Sequence, residues 1–77
     1  MMVTIYGTPT CTYCNSAKQL CEEEGLEYTY IDLFEEDHAM EHLTGLIGPF
    51  RTVPQIFVEG EYVGGFTEFK EFSNFYS

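Results

Sequence analysis

The feature that most constrains this chain is a pair of cysteines, Cys11 and Cys14, between a strand-like stretch and a helix-like one. β-Branched and aromatic side chains at residues 3–6 predict a first strand, and the Gly-Thr-Pro sequence at 7–9 predicts the loop that ends it. Apolar residues then recur at helical spacing, with Thr10 as the expected N-cap. The cysteine pair is therefore predicted at the N-terminal end of a helix that directly follows a strand.

The rest of the chain alternates strand-like and helix-like stretches. The first predicted helix extends up to Gly25 and is followed by a strand at 28–33. A short predicted helix is capped by Asp37, closed by Gly45 and carries Ala39, Met40 and Leu43 on one face. Strands at 55–58 and 61–63 are joined by a Glu59-Gly60 turn and broken off at Gly64-Gly65, and a last helix carries Phe66, Phe69, Phe72 and Tyr76. A strand–helix–strand start predicts a parallel pair with a right-handed crossover, and a two-residue turn predicts an antiparallel hairpin. The order β-α-β-α-β-β-α predicts an α/β fold with a small mixed sheet and three helices.

Length and charge restrict the classes of protein that remain. Seventy-seven residues predict a single domain, residues 1–77. Thirteen acidic and three basic residues argue against binding nucleic acid or anionic membranes, which requires clustered Lys and Arg, and favour a partner with a basic patch. No apolar run approaches about 20 residues and no secretory signal pattern is present, so a cytoplasmic protein without a membrane span is expected.

The position of the cysteine pair predicts thiol chemistry. A thiolate is the nucleophile, whereas a free cysteine has a pKa of about 8.5 and is mostly protonated at neutral pH. The unpaired N–H groups and dipole at a helix start favour negative charge there, which benefits Cys11. Cys14 lies one turn further on, within reach of a disulfide. We expect Cys11 to attack a substrate disulfide, and Cys14 or an external thiol to resolve the mixed disulfide.

Two alternatives remain for the same residues. The pair could be a purely structural disulfide, although so short a loop gives little entropic stabilisation. It could also form a zinc site of the C-x2-C…H-x3-H type with Cys11, Cys14, His38 and His42. The spacer in that set is longer than the roughly 12–15 residues of a zinc finger. The third cysteine, Cys21, lies two helical turns after Cys14 and is expected in the core.

Three motifs occur together: Cys11-Thr12-Tyr13-Cys14, Thr52-Val53-Pro54 and the Gly-Gly-Phe-Thr-Glu sequence at 64–68. They are similar to the C-P-Y-C, T-V-P and G-G-x-[TD]-D motifs of glutaredoxins, in the same order and at similar separations. The chain thus resembles the glutaredoxin family over essentially its whole length. That resemblance implies a thioredoxin-like fold with a four-stranded mixed sheet of order 2-1-3-4.

The resemblance also implies roles for individual residues. Cys11 is the expected nucleophile and Cys14 the resolving thiol. The expected glutathione contacts are Tyr13 beside the tripeptide, Thr52, Val53 with backbone pairing to the cysteinyl part, Pro54 after a cis bond, and Gly65, Phe66, Thr67 and Glu68 at the γ-glutamyl end. Arg51 is expected near a glutathione carboxylate because it is the cation adjacent to the Thr-Val-Pro motif. Three positions depart from the family pattern. Thr12 replaces the usual proline, Thr8 stands where Lys or Arg is common, and Glu68 replaces the typical Asp.

The activity that the resemblance implies is reduction of protein disulfides or glutathione mixed disulfides by a monomeric dithiol glutaredoxin. Glutathione is the expected electron source and co-substrate, and no permanently bound cofactor or metal is expected. One alternative is a glutaredoxin-like hydrogen donor for ribonucleotide reductase, recharged by thioredoxin reductase. Another is an iron–sulfur cluster carrier, in which two chains share a cluster through Cys11 and two glutathiones.

Overall fold

The chain folds into four strands and three helices in the predicted order. The computed structural model describes the backbone of residues 1–76 and the side chains of residues 1–74. The elements are β1 (Met2–Gly7), α1 (Thr12–Glu24), β2 (Glu27–Asp32), α2 (Ala39–Ile47), β3 (Gln55–Val58), β4 (Glu61–Gly64) and α3 (Phe66–Tyr76). The prediction for the side chain of Tyr76 lies outside the described residues. None of the helices within residues 1–76 combines the length and apolar character needed to cross a membrane.

The four strands form one mixed sheet of order β2-β1-β3-β4. β1 and β2 are parallel, with Ile5 opposite Tyr30, while β3 is antiparallel to both β1 and β4. The predicted parallel start and antiparallel hairpin are therefore both confirmed. β1 is central, so the loop that follows it and the start of α1 lie at the middle of the sheet's edge.

Alternation along the strands divides the core between the two faces of the sheet. Val3 and Ile5 of β1 belong to a first cluster with Ala17 and Cys21 of α1 and Phe69 of α3, and other members are Ile56 and Val58. The intervening strand residues Tyr6 and Phe57 belong to a second cluster with Leu33, Ala39 and Leu43. Because successive side chains of a strand point to opposite faces, α1 and α3 cover one face and α2 covers the other. Fully burying an Ile or Phe side chain contributes about 1.5–3 kcal/mol.

Helix α2 departs most from the sequence expectation. His38, not Asp37, is its N-cap; its φ of 63° is left-handed and its side chain makes no capping hydrogen bond. The helix also continues through Gly45 to a C-cap at Gly48. A helical glycine costs about 1 kcal/mol relative to alanine, and packing of Ile47 against the second cluster offsets that cost.

Two smaller predictions were also wrong. Met40, expected on the buried face of α2, is 43% exposed. Gly64, expected to break the last strand, is its final residue. The pairing partner of Gly64 is Ile56, next to a register irregularity between Ile56 and Phe57, which extends the ladder by one residue.

Candidate active site

The start of α1 is capped by a sulfur atom. Cys11 has the extended conformation of an N-cap (φ −87°, ψ 113°), and the Cys14 N–H donates to its Sγ at 3.1 Å. The prediction of Thr10 as the cap is therefore wrong by one residue, because the chain turns into the helix at Thr12. The first turn of α1 contains no acidic residue. Its free N–H groups and dipole thus favour negative charge on Cys11 without competition from a carboxylate.

Cys11 and Cys14 form a disulfide, with Cα atoms 5.2 Å apart. The two sulfurs have different surroundings, since Cys14 is 0% exposed and Cys11 is half-buried. Cys11 Sγ lies 3.6 Å from the carbonyl oxygen of Val53. An attacking thiol can therefore reach only the sulfur of Cys11, and it approaches beside the backbone of Val53.

The wall behind Cys14 is formed by backbone and a tyrosine. A Cβ atom at Gly7 would lie 2.5 Å from Cys14 Sγ and would also collide with the Tyr30 hydroxyl, so only glycine fits. The Tyr30 hydroxyl donates to the Thr8 carbonyl oxygen at 2.8 Å and so holds the loop before Cys11. Burial raises the pKa of Tyr30, and the charge of Asp32 raises it further, so it remains a donor at neutral pH. No sequence motif singles out Tyr30.

Beside Cys11 lies a groove of about 170 Å³. Its lining residues are Tyr13, Thr52, Val53, Pro54, Gly65, Phe66, Thr67 and Glu68. The Tyr13 side chain is 63% exposed and its ring stacks on Phe66 with centroids 5.9 Å apart. The Val53–Pro54 peptide is cis, as the resemblance implies. The three motifs therefore meet at one groove, whereas Arg51, exposed on the preceding loop, is not among its lining residues.

A buried amide fixes the loop that carries Val53. Gln55 is only 5% exposed, and its Nε2 donates to the Thr52 carbonyl oxygen at 2.7 Å. Its Oε1 accepts a 2.6 Å hydrogen bond from the hydroxyl of Tyr62 on β4. Sequence reasoning did not assign Gln55 a role. The available signal was one amide at the start of an otherwise apolar strand, since a buried amide requires specific partners.

The start of α3 is capped by its own carboxylate. Gly65 N–H donates to Glu68 Oε1 at 2.7 Å, which is one half of a capping box. Gly64 has a φ of 129°, and a Cβ there would lie 2.9 Å from Glu68 Oε1. Glycine at this position therefore allows the Glu68 side chain to fold back over the helix start, leaving Oε2 as a further acceptor at the groove.

The zinc alternative is not supported by the arrangement of its residues. Within the part of the chain that the structure describes, no three His, Cys, Asp or Glu side chains are grouped so as to hold a metal ion. His38 lies at the start of α2, where its Nδ1 is 3.5 Å from a carboxylate oxygen of Glu41. Cys11 and Cys14 therefore have each other as partners and not the histidines.

Cys21 occupies the core position that the sequence predicts. It is a free thiol, 0% exposed, on the side of α1 that packs against the first cluster. Burial raises the pKa of Cys21 to about 11, and the charge of Glu22 adds to the effect. At neutral pH this thiol is protonated and inaccessible, so it takes no part in the redox site.

Comparison with known proteins finds similarity to glutaredoxins over most of the chain. The glutaredoxin family model matches residues 3–63. A glutaredoxin of Haemophilus influenzae is 40% identical over 76 residues, covering 91% of this chain and 87% of that protein. Reduced Escherichia coli glutaredoxin superposes with a TM-score of 0.83 at 35% identity, covering 96% and 94% of the two chains. A buckwheat glutaredoxin–glutathione complex superposes with a TM-score of 0.77 at 30% identity, covering 90% and 64%.

Proposed function

The chain belongs to the glutaredoxin family, and we propose on that premise that it reduces protein disulfides and glutathione mixed disulfides with electrons from glutathione. It is a thiol–disulfide oxidoreductase of thioredoxin-like fold with a redox-active Cys11–Cys14 disulfide. The observation that carries the proposal is the difference between its two sulfurs. Cys11 Sγ lies 3.6 Å from the carbonyl oxygen of Val53, which lines the groove formed by the family motifs, whereas Cys14 is fully enclosed.

Reduction of a substrate proceeds in two exchanges. The Cys11 thiolate attacks one sulfur of the substrate disulfide, forming a mixed disulfide and releasing the other substrate sulfur as a thiolate, which takes up a proton. Cys14 then loses its proton and attacks Cys11 Sγ, forming the Cys11–Cys14 disulfide and releasing the second substrate thiol. The enzyme gives the substrate two electrons; one of the two protons that the substrate gains comes from Cys14 and the other from solvent, because Cys11 reacts as a thiolate.

Glutathione then reduces the Cys11–Cys14 disulfide of the enzyme. Its thiolate attacks Cys11 Sγ, the accessible sulfur of the pair, and Cys14 leaves as a thiolate that is protonated. A second glutathione thiolate attacks the glutathione sulfur of the mixed disulfide. This step releases glutathione disulfide and restores the Cys11 thiolate. Two glutathiones are thus oxidised for each substrate disulfide reduced.

The groove provides contacts suited to a tripeptide. An extended cysteinyl segment can pair with the backbone of Val53, whose carbonyl group already lies beside Cys11 Sγ. The N-terminal end of α3 favours a carboxylate, and the Thr67 hydroxyl lies at the same end. In the proposal, Glu68 attracts the α-amino group of the ligand through its second oxygen. Arg51 reaches a ligand carboxylate from the adjacent loop. A buckwheat glutaredoxin of similar fold was solved with glutathione, which supports glutathione as the ligand.

Two further statements belong to the proposal. Glutathione keeps thiols reduced in the cytosol, so a glutathione-dependent reductase is proposed to act there. All the proposed contacts come from one chain, so we propose that the active form is a monomer.

The experiment that tests the proposal determines which electron donor reduces the protein. The oxidised protein is assayed with NADPH, glutathione reductase and millimolar glutathione, and separately with NADPH and thioredoxin reductase. We expect turnover with glutathione, slower at low salt because a net charge of −10 repels anionic glutathione and salt screens that repulsion beyond about 8 Å. Efficient turnover by thioredoxin reductase with none by glutathione would replace the proposal with the ribonucleotide-reductase donor.

A further inference from the structure

A second and larger groove, of about 720 Å³, lies along β4 and α3 at the edge of the sheet. We call it the acidic groove; its lining residues are Met1, Val58, Glu59, Glu61, Tyr62, Val63, Glu68, Glu71 and Phe72. Apolar side chains of Val58, Val63 and Phe72 alternate with four glutamates. Among the described residues that line it there is no Lys or Arg side chain to neutralise those carboxylates.

The acidic groove adjoins the groove beside Cys11. Glu68 lines both of them. Tyr62 of the acidic groove donates a hydrogen bond to Gln55, and Gln55 donates one to Thr52, which lines the groove beside Cys11. A polypeptide whose cysteine sits at Cys11 therefore has a continuous path along Glu68 into the acidic groove.

We propose that the acidic groove binds a Lys- or Arg-bearing segment of the protein disulfide substrate, so that the enzyme prefers disulfides with basic residues nearby. The inference rests on the proposed function and names the substrate class of that site. The side chains of Lys and Arg suit this surface because their alkyl stems cover apolar residues while their charged ends stay at the rim. Here the stems pack on Val63 and Phe72, and the charges meet Glu61 and Glu71.

The charge of the acidic groove favours a basic segment over a second copy of this chain and over a neutral apolar segment. A second copy of this chain carries the same net charge of −10, so self-association would bring like charges together at the groove. A neutral apolar segment would desolvate the glutamates without giving them a partner, which costs free energy. A cationic segment is attracted at a distance and pairs with the carboxylates on contact, which raises the association rate.

The exposed edge of the sheet fits an extended segment. β4 is the last strand of the order β2-β1-β3-β4, so within the described sheet its outer backbone groups have no neighbouring strand. An extended peptide can add to such an edge through main-chain hydrogen bonds. The chemistry at Cys11 is unchanged, because the basic segment contributes binding only and the two exchanges described above balance the electrons.

The test compares two peptide disulfides that differ only in three positions near the cysteine, Lys in one and Gln in the other. Both are reduced by the full-length protein coupled to glutathione and glutathione reductase. The groove variant is Glu61→Gln/Glu71→Gln. The control variant is Glu23→Gln/Glu24→Gln, which removes the same charge from exposed positions on α1. A small glutathione mixed disulfide serves as the reference substrate.

We expect the unmodified protein to prefer the Lys peptide by about fivefold or more in kcat/KM at low salt, with the preference shrinking at high salt. The groove variant should lose about fivefold on the Lys peptide and nothing on the Gln peptide, while the control variant loses less than about twofold. Equal kcat/KM for the two peptides, or equal losses in the two variants, would overturn the inference. Absence of glutathione-driven turnover of the reference substrate would instead overturn the proposed function.

Discussion

Helix α1 contains two regions in which the same residue type has opposite properties. At its N-cap, Cys11 is half-buried and its sulfur accepts a backbone N–H at the positive end of the helix. In its third turn, Cys21 is fully enclosed by apolar side chains, and burial raises its pKa to about 11. The difference teaches that the place of a cysteine along a helix, and not its presence, determines whether it is a nucleophile.

Cys14 lies between these extremes. Its sulfur is as enclosed as that of Cys21, yet it is bonded to Cys11, and its N–H donates to the Cys11 sulfur that caps the helix start. Cys14 can therefore exchange with Cys11 but cannot meet a substrate from solution. One helix thus holds an attacking thiol, a resolving thiol and a structural thiol.

The largest expected effect comes from removing the attacking thiol. Cys11→Ser should lower the reduction of every disulfide substrate by at least about 10³-fold, because a serine hydroxyl at the same position is not ionised at neutral pH. Cys14→Ser should retain reduction of a glutathione mixed disulfide, which external glutathione can resolve, and lose reduction of dithiol substrates. Coupled assays with both substrates measure the difference.

The two single variants are each other's control, since each replaces one sulfur of the same disulfide with oxygen. Equal loss on the glutathione mixed disulfide would show that the two cysteines do not differ in role. It would also remove the distinction between an accessible and an enclosed sulfur.

The buried thiol of Cys21 should make the free energy of unfolding depend on pH. Because folding raises the pKa of Cys21 from about 9 to about 11, the folded state favours the protonated thiol, and its contribution to stability is complete below pH 9 and lost as the pH rises to about 11. The decrease should be on the order of 1 kcal/mol per pH unit in that window. Urea unfolding measures it in a Cys11→Ser/Cys14→Ser background, where no disulfide can rearrange.

The matched protein carries Cys21→Ala in the same background. It is less stable at pH 8 because of the lost packing. Its unfolding free energy should fall less steeply with pH, since the buried thiol no longer contributes to the pH dependence. Parallel pH profiles for the two proteins would mean that Cys21 ionises as freely in the folded state as in the unfolded one.

The smallest expected effect comes from giving the first turn of α1 a competing charge. Thr12 is exposed and follows Cys11 directly. Thr12→Glu places a carboxylate near the sulfur, which disfavours the thiolate and should slow alkylation of reduced Cys11 by iodoacetamide about two- to fivefold at pH 7 and low salt. Thr12→Gln has nearly the same shape without the charge and should leave the rate unchanged. The same slowing in both variants would indicate that steric access, and not charge, controls the reaction.

Sequence patterns predicted the fold well where one signal dominated. Strand β3 was predicted with its observed bounds, residues 55–58, because a short apolar run is flanked by a proline and a Glu-Gly turn. The bounds of α2 were wrong because Gly45 normally indicates a helix end, whereas burial of Ile47 keeps the helix going. Local propensity cannot register a contact made with a distant strand.

In the candidate site too, residues with a local sequence signal were predicted and residues that act through tertiary contacts were not. The resemblance to glutaredoxins named the eight residues that line the groove; Arg51, also expected at the site, is not among them. The residues that position them, Tyr30 and Gln55, were missed because their roles depend on tertiary contacts: Tyr30 bonds the Thr8 carbonyl oxygen 22 residues away, and Gln55 joins the Thr52 carbonyl oxygen to Tyr62 of β4. The Thr10 cap was wrong because Cys11 itself has the capping conformation, and sulfur is not among the preferred capping groups.

Because the core is divided between the two faces of the sheet, the two sides of the active site are supported by different clusters and can differ in local stability. The cysteines stand on α1, which packs against the first cluster, whereas Val53 packs against the second cluster together with α2. α2 begins at a left-handed His38 without a side-chain cap, so it has little local support of its own. Backbone amides of α2 should therefore exchange with deuterium through openings that leave α1 protected. Such an opening would loosen the support of Val53 while the cysteines keep the scaffold that α1 gives them.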